Sequence, residues 1–234
     1  MILTDADIKA ALAAGDIMIA PPGESYDETQ IQPASIDLRV GDEAATTKSK
    51  AKINVAKQGL ITLEPGDFGM LAILEHIKFG PQYVGRLGLR SKWARKGLIA
   101  TAGPQIDPGF QGSIKIGLYN LTPKPVSLGH RDHILTLEIH RLAQPVTTPY
   151  SGEYQGQFGL SAKDMETIAE GDGMAFSEVL TTLRSLSANV ANLSEKMTDL
   201  TGQMKTPPWL VPLVISFFVG IVAIIVAIVI VGLN

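Results

Sequence analysis

Four polar clusters interrupt apolar runs in the first 160 residues: Gln32-Pro33-Ala34-Ser35-Ile36-Asp37-Leu38-Arg39, Arg90-Ser91-Lys92-Trp93-Ala94-Arg95, Ile106-Asp107-Pro108-Gly109-Phe110-Gln111-Gly112, and Tyr150 through Tyr154-Gln155-Gly156-Gln157. The second cluster sets Arg90, Lys92 and Arg95 beside the Ser91 hydroxyl. Such a donor set suits phosphate oxygens, because guanidinium forks bind them in pairs. In the third, Asp107 precedes Pro108-Gly109 at a strand end, where a carboxylate can orient and deprotonate a water. The competing reading of Asp107 is an Asx cap of its own turn. Arg39 and Arg95 can equally be ion-pair partners, and for Arg39 that reading is preferred.

Other chemistries are excluded by what is missing. The 234 residues contain no cysteine, so disulfides and Cys-ligated metal sites are out. His76, His130, His133 and His140 lack the spacing with Glu that a zinc hydrolase shows, and neither a GxxxxGK[ST] loop nor a GxSxG elbow occurs. A net charge of −3 argues against nucleic acid as a partner, which needs a basic surface.

The clusters lie in a region built from short strands. Thr4-Asp5-Ala6-Asp7 before IKAALAA predicts a capped helix ending near Gly15. Apolar or alternating runs follow at 17–20, 35–40, 60–63, 68–79, 83–89, 113–121 and 133–142. Turn residues separate them, among them Pro65-Gly66-Asp67, Gly80-Pro81 and Asp107-Pro108-Gly109. Many short strands at this spacing predict a mainly β head, a barrel or sandwich, over residues 1–148. Residues 149–173 read as a lid and mobile linker.

The remainder predicts helices. Phe176, Val179, Leu183, Leu186, Val190, Leu193, Met197, Leu200 and Met204 alternate spacings of 3 and 4, which predicts a coiled-coil stalk over 174–205. Thr201-Gly202 weakens its last heptad, and Thr206-Pro207-Pro208 breaks the helix. The 29 residues after Lys205 carry no charge, and residues 209–233 predict a single transmembrane helix with Trp209 at the interface. The sequence thus predicts a tail anchor in a lipid bilayer with the head on the cytoplasmic side, because Lys196 and Lys205 precede the apolar run.

In order along the chain, QPASIDLRVG, RSKWARKGL, GPQIDPGFQG and YSGEYQGQ resemble the motifs and C-terminal lid of the dCTP deaminase / dUTPase superfamily, in its dCTP deaminase-like branch. The resemblance covers about residues 1–160. It implies a distorted jelly-roll-like β-barrel and a homotrimer with sites between subunits. It also implies a deoxypyrimidine triphosphate ligand (dUTP-, dCTP- or dTTP-like) with Mg²⁺ on its phosphates. Carried onto this chain, it makes Asp107 and Ser91 the catalytic residues. Arg90, Ser91, Lys92, Arg95, Ala102, Gln111, Tyr150, Tyr154 and Gln157 become nucleotide-binding. Asp37 becomes an indirect metal partner through water, magnesium being an oxygen-ligated ion that keeps waters.

One departure bears on activity. The deaminase branch has a Glu ten residues after the third-motif Asp, acting as the base on cytosine C4; here that position is Gly117. Losing a general base removes roughly 10²–10⁴-fold of rate, so deamination is expected to be lost. Glu138 is a carboxylate on a later strand. Glu153 replaces a lid Lys and would repel phosphates or turn to solvent. Phe158 is a candidate lid aromatic to stack on a base. Three readings follow: a dUTPase-like diphosphohydrolase releasing pyrophosphate; a non-catalytic nucleotide sensor coupled to a membrane effector or pore; and a deaminase with a relocated base.

Overall fold

A computed structural model describes residues 1–171, 175–203 and 210–231. The chain divides into two compact units, Met1–Glu178 and Val179–Asn234.

The first unit opens with α1, Asp5–Ala14, started by a Thr4–Asp7 capping box and ended by Gly15 at φ 75°. Strands β1 (Ile17–Ala20), β2 (Ile31–Gln32), β3 (Ser35–Thr46) and β4 (Lys52–Asn54) follow, then the one-turn helix α2 (Val55–Gln58). Next come β5 (Leu60–Leu63), β6 (Phe68–Phe79), β7 (Tyr83–Leu89), the short helix α3 (Ser91–Ala94), β8 (Leu98–Thr101) and β9 (Gln105–Ile106). Strands β10 (Gln111–Asn120), β11 (Val126–Gly129) and β12 (His133–Arg141) complete the sheet region, and α4 (Ala162–Glu170) closes the unit. The strand path is β8-β10-β6-β3-β12-β7-β9, with β1 added to β6, β2 and β4 to β3, and β11 paired with β5. Each of these pairings is antiparallel, and the architecture is mainly β, as the sequence predicts. Strand β3 pairs with β12 through its first half and with β6 through its second, so the sheet curls about it.

Alternation places Ile36, Leu38 and Val40 of β3, Ile116 and Leu118 of β10, and Leu135, Leu137 and Ile139 of β12 in one core, all almost fully buried. Burial of these side chains contributes about 1.5–3 kcal/mol each. Among the described residues Asp37, Arg39, Asp67 and Glu75 are buried charged groups. Glu75 is fully buried and accepts from Arg39 Nε at 2.6 Å, the Arg39 amide at 2.8 Å and Gln30 Nε2 at 2.9 Å. Arg39 is thus an ion-pair partner. Arg39→Met would strand a buried carboxylate, and a loss of roughly 3–5 kcal/mol is expected, read as a lower midpoint in urea.

Part of the expected lid and linker is helical. Residues 149–171 contain α4, which carries its own capping box, Ser161 with Asp164, and buries Ile168 against Ala45 and Leu160. The Ser161-x-x-Asp164 signature and the Met165/Ile168 spacing were legible; the Gly-rich surroundings hid them.

Beyond the head, α5 runs Ala175–Gln203 as one helix through Gly202. Leu186, Val190 and Leu193 of the apolar stripe are exposed on the single chain. Met204, the Thr206-Pro207-Pro208 break and Trp209 lie outside the described residues. The last helix, α6, spans Leu210–Val231, with side chains described through Val226. Among the described residues no helix is long and apolar enough to cross a membrane. The expected transmembrane anchor, bilayer partner and cytoplasmic-facing membrane location are corrected accordingly, and α6 stands as an apolar helix with exposed side chains.

Candidate functional site

A cavity of about 580 Å³ opens where β6, β7, β8, β9 and β10 meet the 150–157 segment and α4. Of the residues singled out from the sequence, it gathers Ala102, Asp107, Gly117, Tyr150, Tyr154 and Gln157. Asp107 is exposed, and its Oδ1 accepts from Gln105 Nε2 at 2.6 Å. The backbone places that carboxylate: Gly109 at φ 86° completes the turn, and a side chain there would strike Pro149 Cβ at 2.5 Å.

Gly117 lies buried on the cavity face of β10, paired with Thr101 of β8 and Met70 of β6. A Cβ built on it would fall 2.5 Å from Phe68 Cε2 and closer still to Thr101 Oγ1. The Phe68 ring is braced from behind by Tyr119, centroid to centroid 4.6 Å. The space a longer side chain would need at this position is therefore filled.

The 149–157 segment is fastened to the same turn. The Tyr150 amide donates to Pro108 O at 2.8 Å, the Gly156 amide to Gln111 O at 2.7 Å, and the Ser113 amide to Gln157 O at 2.9 Å. Gln155 adds two side-chain bonds, Oε1 accepting from the Gln111 amide at 3.0 Å and Nε2 donating to Gly109 O at 3.0 Å. Tyr150 packs its ring 5.9 Å from Phe110. Gln111 enters through its main chain. Gln155 is the main fastener, and nothing in its local sequence sets it apart from its neighbours. Glu153 turns outward and pairs with Lys163 at 3.7 Å. Phe158 stands edge-on to His76 at 5.8 Å and does not line the cavity.

The phosphate-clamp candidates sit apart. Arg90, Ser91, Lys92 and Arg95 do not line this cavity. Ser91, Lys92 and Arg95 are exposed on and beside α3, whose Trp93 is buried and donates Nε1 to His133 O at 2.7 Å. Arg90 Nη1 lies 3.0 Å from Asp37 Oδ2, and Thr136 Oγ1 donates to Asp37 Oδ1 at 3.1 Å. His133 Nδ1 is a further 3.5 Å neighbour of Asp37. Asp37 is 1% exposed and faces the Arg90 guanidinium. Among the described residues no three His, Asp or Glu side chains converge on a metal position. His130 pairs with Asp42 at 2.7 Å and His140 with Glu138, which does not line the cavity.

Lys115, Phe68 and Met70 are among the cavity residues that went unread in the sequence. Lys115 of β10 projects on the same face as Gly117, two positions away. Its Nζ meets Asp164 Oδ2 at 2.6 Å. Phe68 and Met70 line the cavity and also pack against the Ala45–Leu160–Ile168 cluster that seats α4. Nearby, Glu43 Oε2 accepts from the Leu160 amide at 2.7 Å and Lys52 Nζ at 3.0 Å. A lone Lys in an alternating strand carries no signal until its partner's fold is known.

Burial opposes ionisation of Asp164, but bonds from Lys115 and Ser161 outweigh it and hold the carboxyl below its ordinary value. Glu43 is likewise lowered: burial raises it, and the Leu160 amide and Lys52 more than compensate. Both groups then stabilise the α4 seat above the ordinary carboxylate range and lose that contribution as pH falls through their lowered values. Amide exchange over 160–170 is expected to accelerate below about pH 4, ahead of the core strands.

A curled antiparallel sheet with a cavity over β10 and a strap bonded to the Asp-Pro-Gly turn defines a mainly β domain. A family model described as dCTP deaminase-like matches residues 2–142, and the chain belongs to that family. A dCTP deaminase of Pyrococcus horikoshii is 35% identical over 133 residues, 57% of this chain and 83% of that protein. A "dCTP deaminase, dUMP-forming" of Aquifex aeolicus is 31% identical over 170 residues, 68% of this chain and 92% of that one. The crystal structure of 2'-deoxycytidine 5'-triphosphate deaminase from Agrobacterium tumefaciens superimposes with a TM-score of 0.51 at 17% identity, over 61% of this chain and 49% of that chain. That last likeness speaks to the fold alone.

Proposed function

We propose that the head binds a deoxypyrimidine triphosphate in the β10 cavity without deaminating it, and releases pyrophosphate from a dUTP-like substrate. The observation that carries this is position 117: the relatives are named deaminases, and here the site of the branch's base is a glycine walled in by Phe68 and Thr101. A monophosphate product is in keeping with the name of the dUMP-forming relative.

In this reading Asp107, steadied by Gln105, orients and deprotonates the attacking water. The base lies along Ala102 to Ile106, and Tyr150, Tyr154 and Gln157 exclude bulk water. Because Arg90, Ser91, Lys92 and Arg95 stand outside the cavity of their own chain, they serve the cavity of another copy in a homotrimer. Arg90 is held for that task by Asp37. Magnesium would travel with the phosphates, since no cluster among the described residues offers it a seat. The exposed Leu186, Val190 and Leu193 stripe of α5 is the seam along which three copies pair as a coiled coil.

A second reading, a sensor that binds without turnover, is favoured by the walls that cavity and α4 share, Phe68 and Met70. Incubating the full chain with each dNTP and Mg²⁺, while following ammonia, pyrophosphate and bound nucleotide, separates the readings. Pyrophosphate without ammonia supports the hydrolase, and binding alone supports the sensor. Ammonia from dCTP at enzymatic rates overturns both.

A further inference from the structure

One strand face of the cavity offers an ammonium and a glycine. Gly117 contributes no side-chain polar atom there, and Lys115, on the same strand face, contributes an ammonium. The Lys115 side chain is 14% exposed and that of Asp164 19%. An ammonium has three donors and no acceptor. Among the described residues Asp164 takes one of them, at 2.6 Å. Asp164 is itself fixed by the Ser161 amide and hydroxyl, both at 2.6 Å, so Lys115 is aimed from a rigid point.

We propose that Lys115 selects the base: its ammonium donates to a carbonyl oxygen at pyrimidine position 4, so the cavity takes uracil or thymine in preference to cytosine. The assignment rests on the reading that the 4-edge of the base faces position 117. Cytosine presents an amino group at that edge, and two donors facing each other leave both unpaired in a confined site. Asp164 is a positioning residue, acting through Lys115 and not on the nucleotide. A glutamate at 117 would accept from a cytosine amino group; the ammonium inverts that preference.

The test is calorimetry on the full chain with non-hydrolysable α,β-imido analogues of dUTP, dTTP and dCTP in the presence of Mg²⁺. Wild type is expected to bind the two keto analogues roughly 10- to 100-fold more tightly than the dCTP analogue, as for a hydrogen bond to a charged group. Lys115→Met is expected to collapse that ratio, whereas Lys115→Arg, which still only donates, keeps its direction. Asp164→Asn should shrink the ratio. A change in fold stability alone would move all three affinities together, so the ratio isolates recognition. Equal affinities in wild type, a preference for dCTP, or equal weakening of all three analogues by Lys115→Met (a phosphate contact) overturns the proposal while leaving nucleotide binding intact. If wild type binds none of the three, the nucleotide-binding reading falls, and this assignment with it.

Discussion

Full-length protein given dCTP and Mg²⁺ releases no ammonia above the uncatalysed background, and Gly117→Glu alone does not restore release. The first half follows from the missing proton acceptor, worth roughly 10²–10⁴-fold in rate. The second half follows from packing. Phe68 Cε2 and Cζ sit 2.5 and 2.6 Å from where the new Cβ would stand, and Thr101 Oγ1 closer still. Thr101 can rotate, but the Phe68 ring is stacked on Tyr119 and packs beneath α4. Overpacking of this kind costs about 1–3 kcal/mol, so Gly117→Glu is also expected to melt several degrees earlier. Combining it with Phe68→Ala makes room for the carboxylate. Ammonia from the wild type would show that position 117 has been misread; ammonia from Gly117→Glu by itself would overturn the packing argument and leave the missing base standing.

Asp107→Asn abolishes pyrophosphate release and leaves nucleotide affinity within a few-fold of wild type. An amide keeps the bond to Gln105 but cannot take a proton, so a drop of about 10²–10⁴-fold is expected. An Arg90→Ala, Ser91→Ala double variant is expected to lose both affinity and turnover. Mixing the two inactive proteins under conditions of subunit exchange then recovers part of the activity, because some assemblies pair an intact cavity with an intact α3 from a neighbour. Pyrophosphate assays on the mixture check this directly. Unchanged turnover in Asp107→Asn removes it as the base; absence of recovery argues for sites completed within one chain.

Much of this was legible in the residues. The Thr4 capping box, the strands at 17–20, 60–63, 68–79 and 83–89, and the Asp-Pro-Gly turn follow from local rules of capping, alternation and turn chemistry, and the structure reproduces them. Gly117 was legible as an absence, but not Phe68 and Thr101 filling it, since register between β10, β6 and β8 is a tertiary fact. The ion pair of Asp37 with Arg90 spans 53 positions, which a motif written in one dimension does not show. The same limit hid Lys115 and Asp164. The apolar tail was read as a bilayer span, whereas among the described residues no helix is long and apolar enough to cross a membrane.

The carboxylate of Asp164 opens α4 and neutralises Lys115 with one oxygen, across a separation of 49 positions. Drift at either position is thereby constrained by the other. A descendant that loses the aspartate leaves a bare ammonium under a helix with a frayed beginning, and one that loses the lysine buries an anion. The two sites should be replaced as a couple or kept as a couple, and a descendant that changes what its cavity admits must also renegotiate how the helix closing its head is tied down.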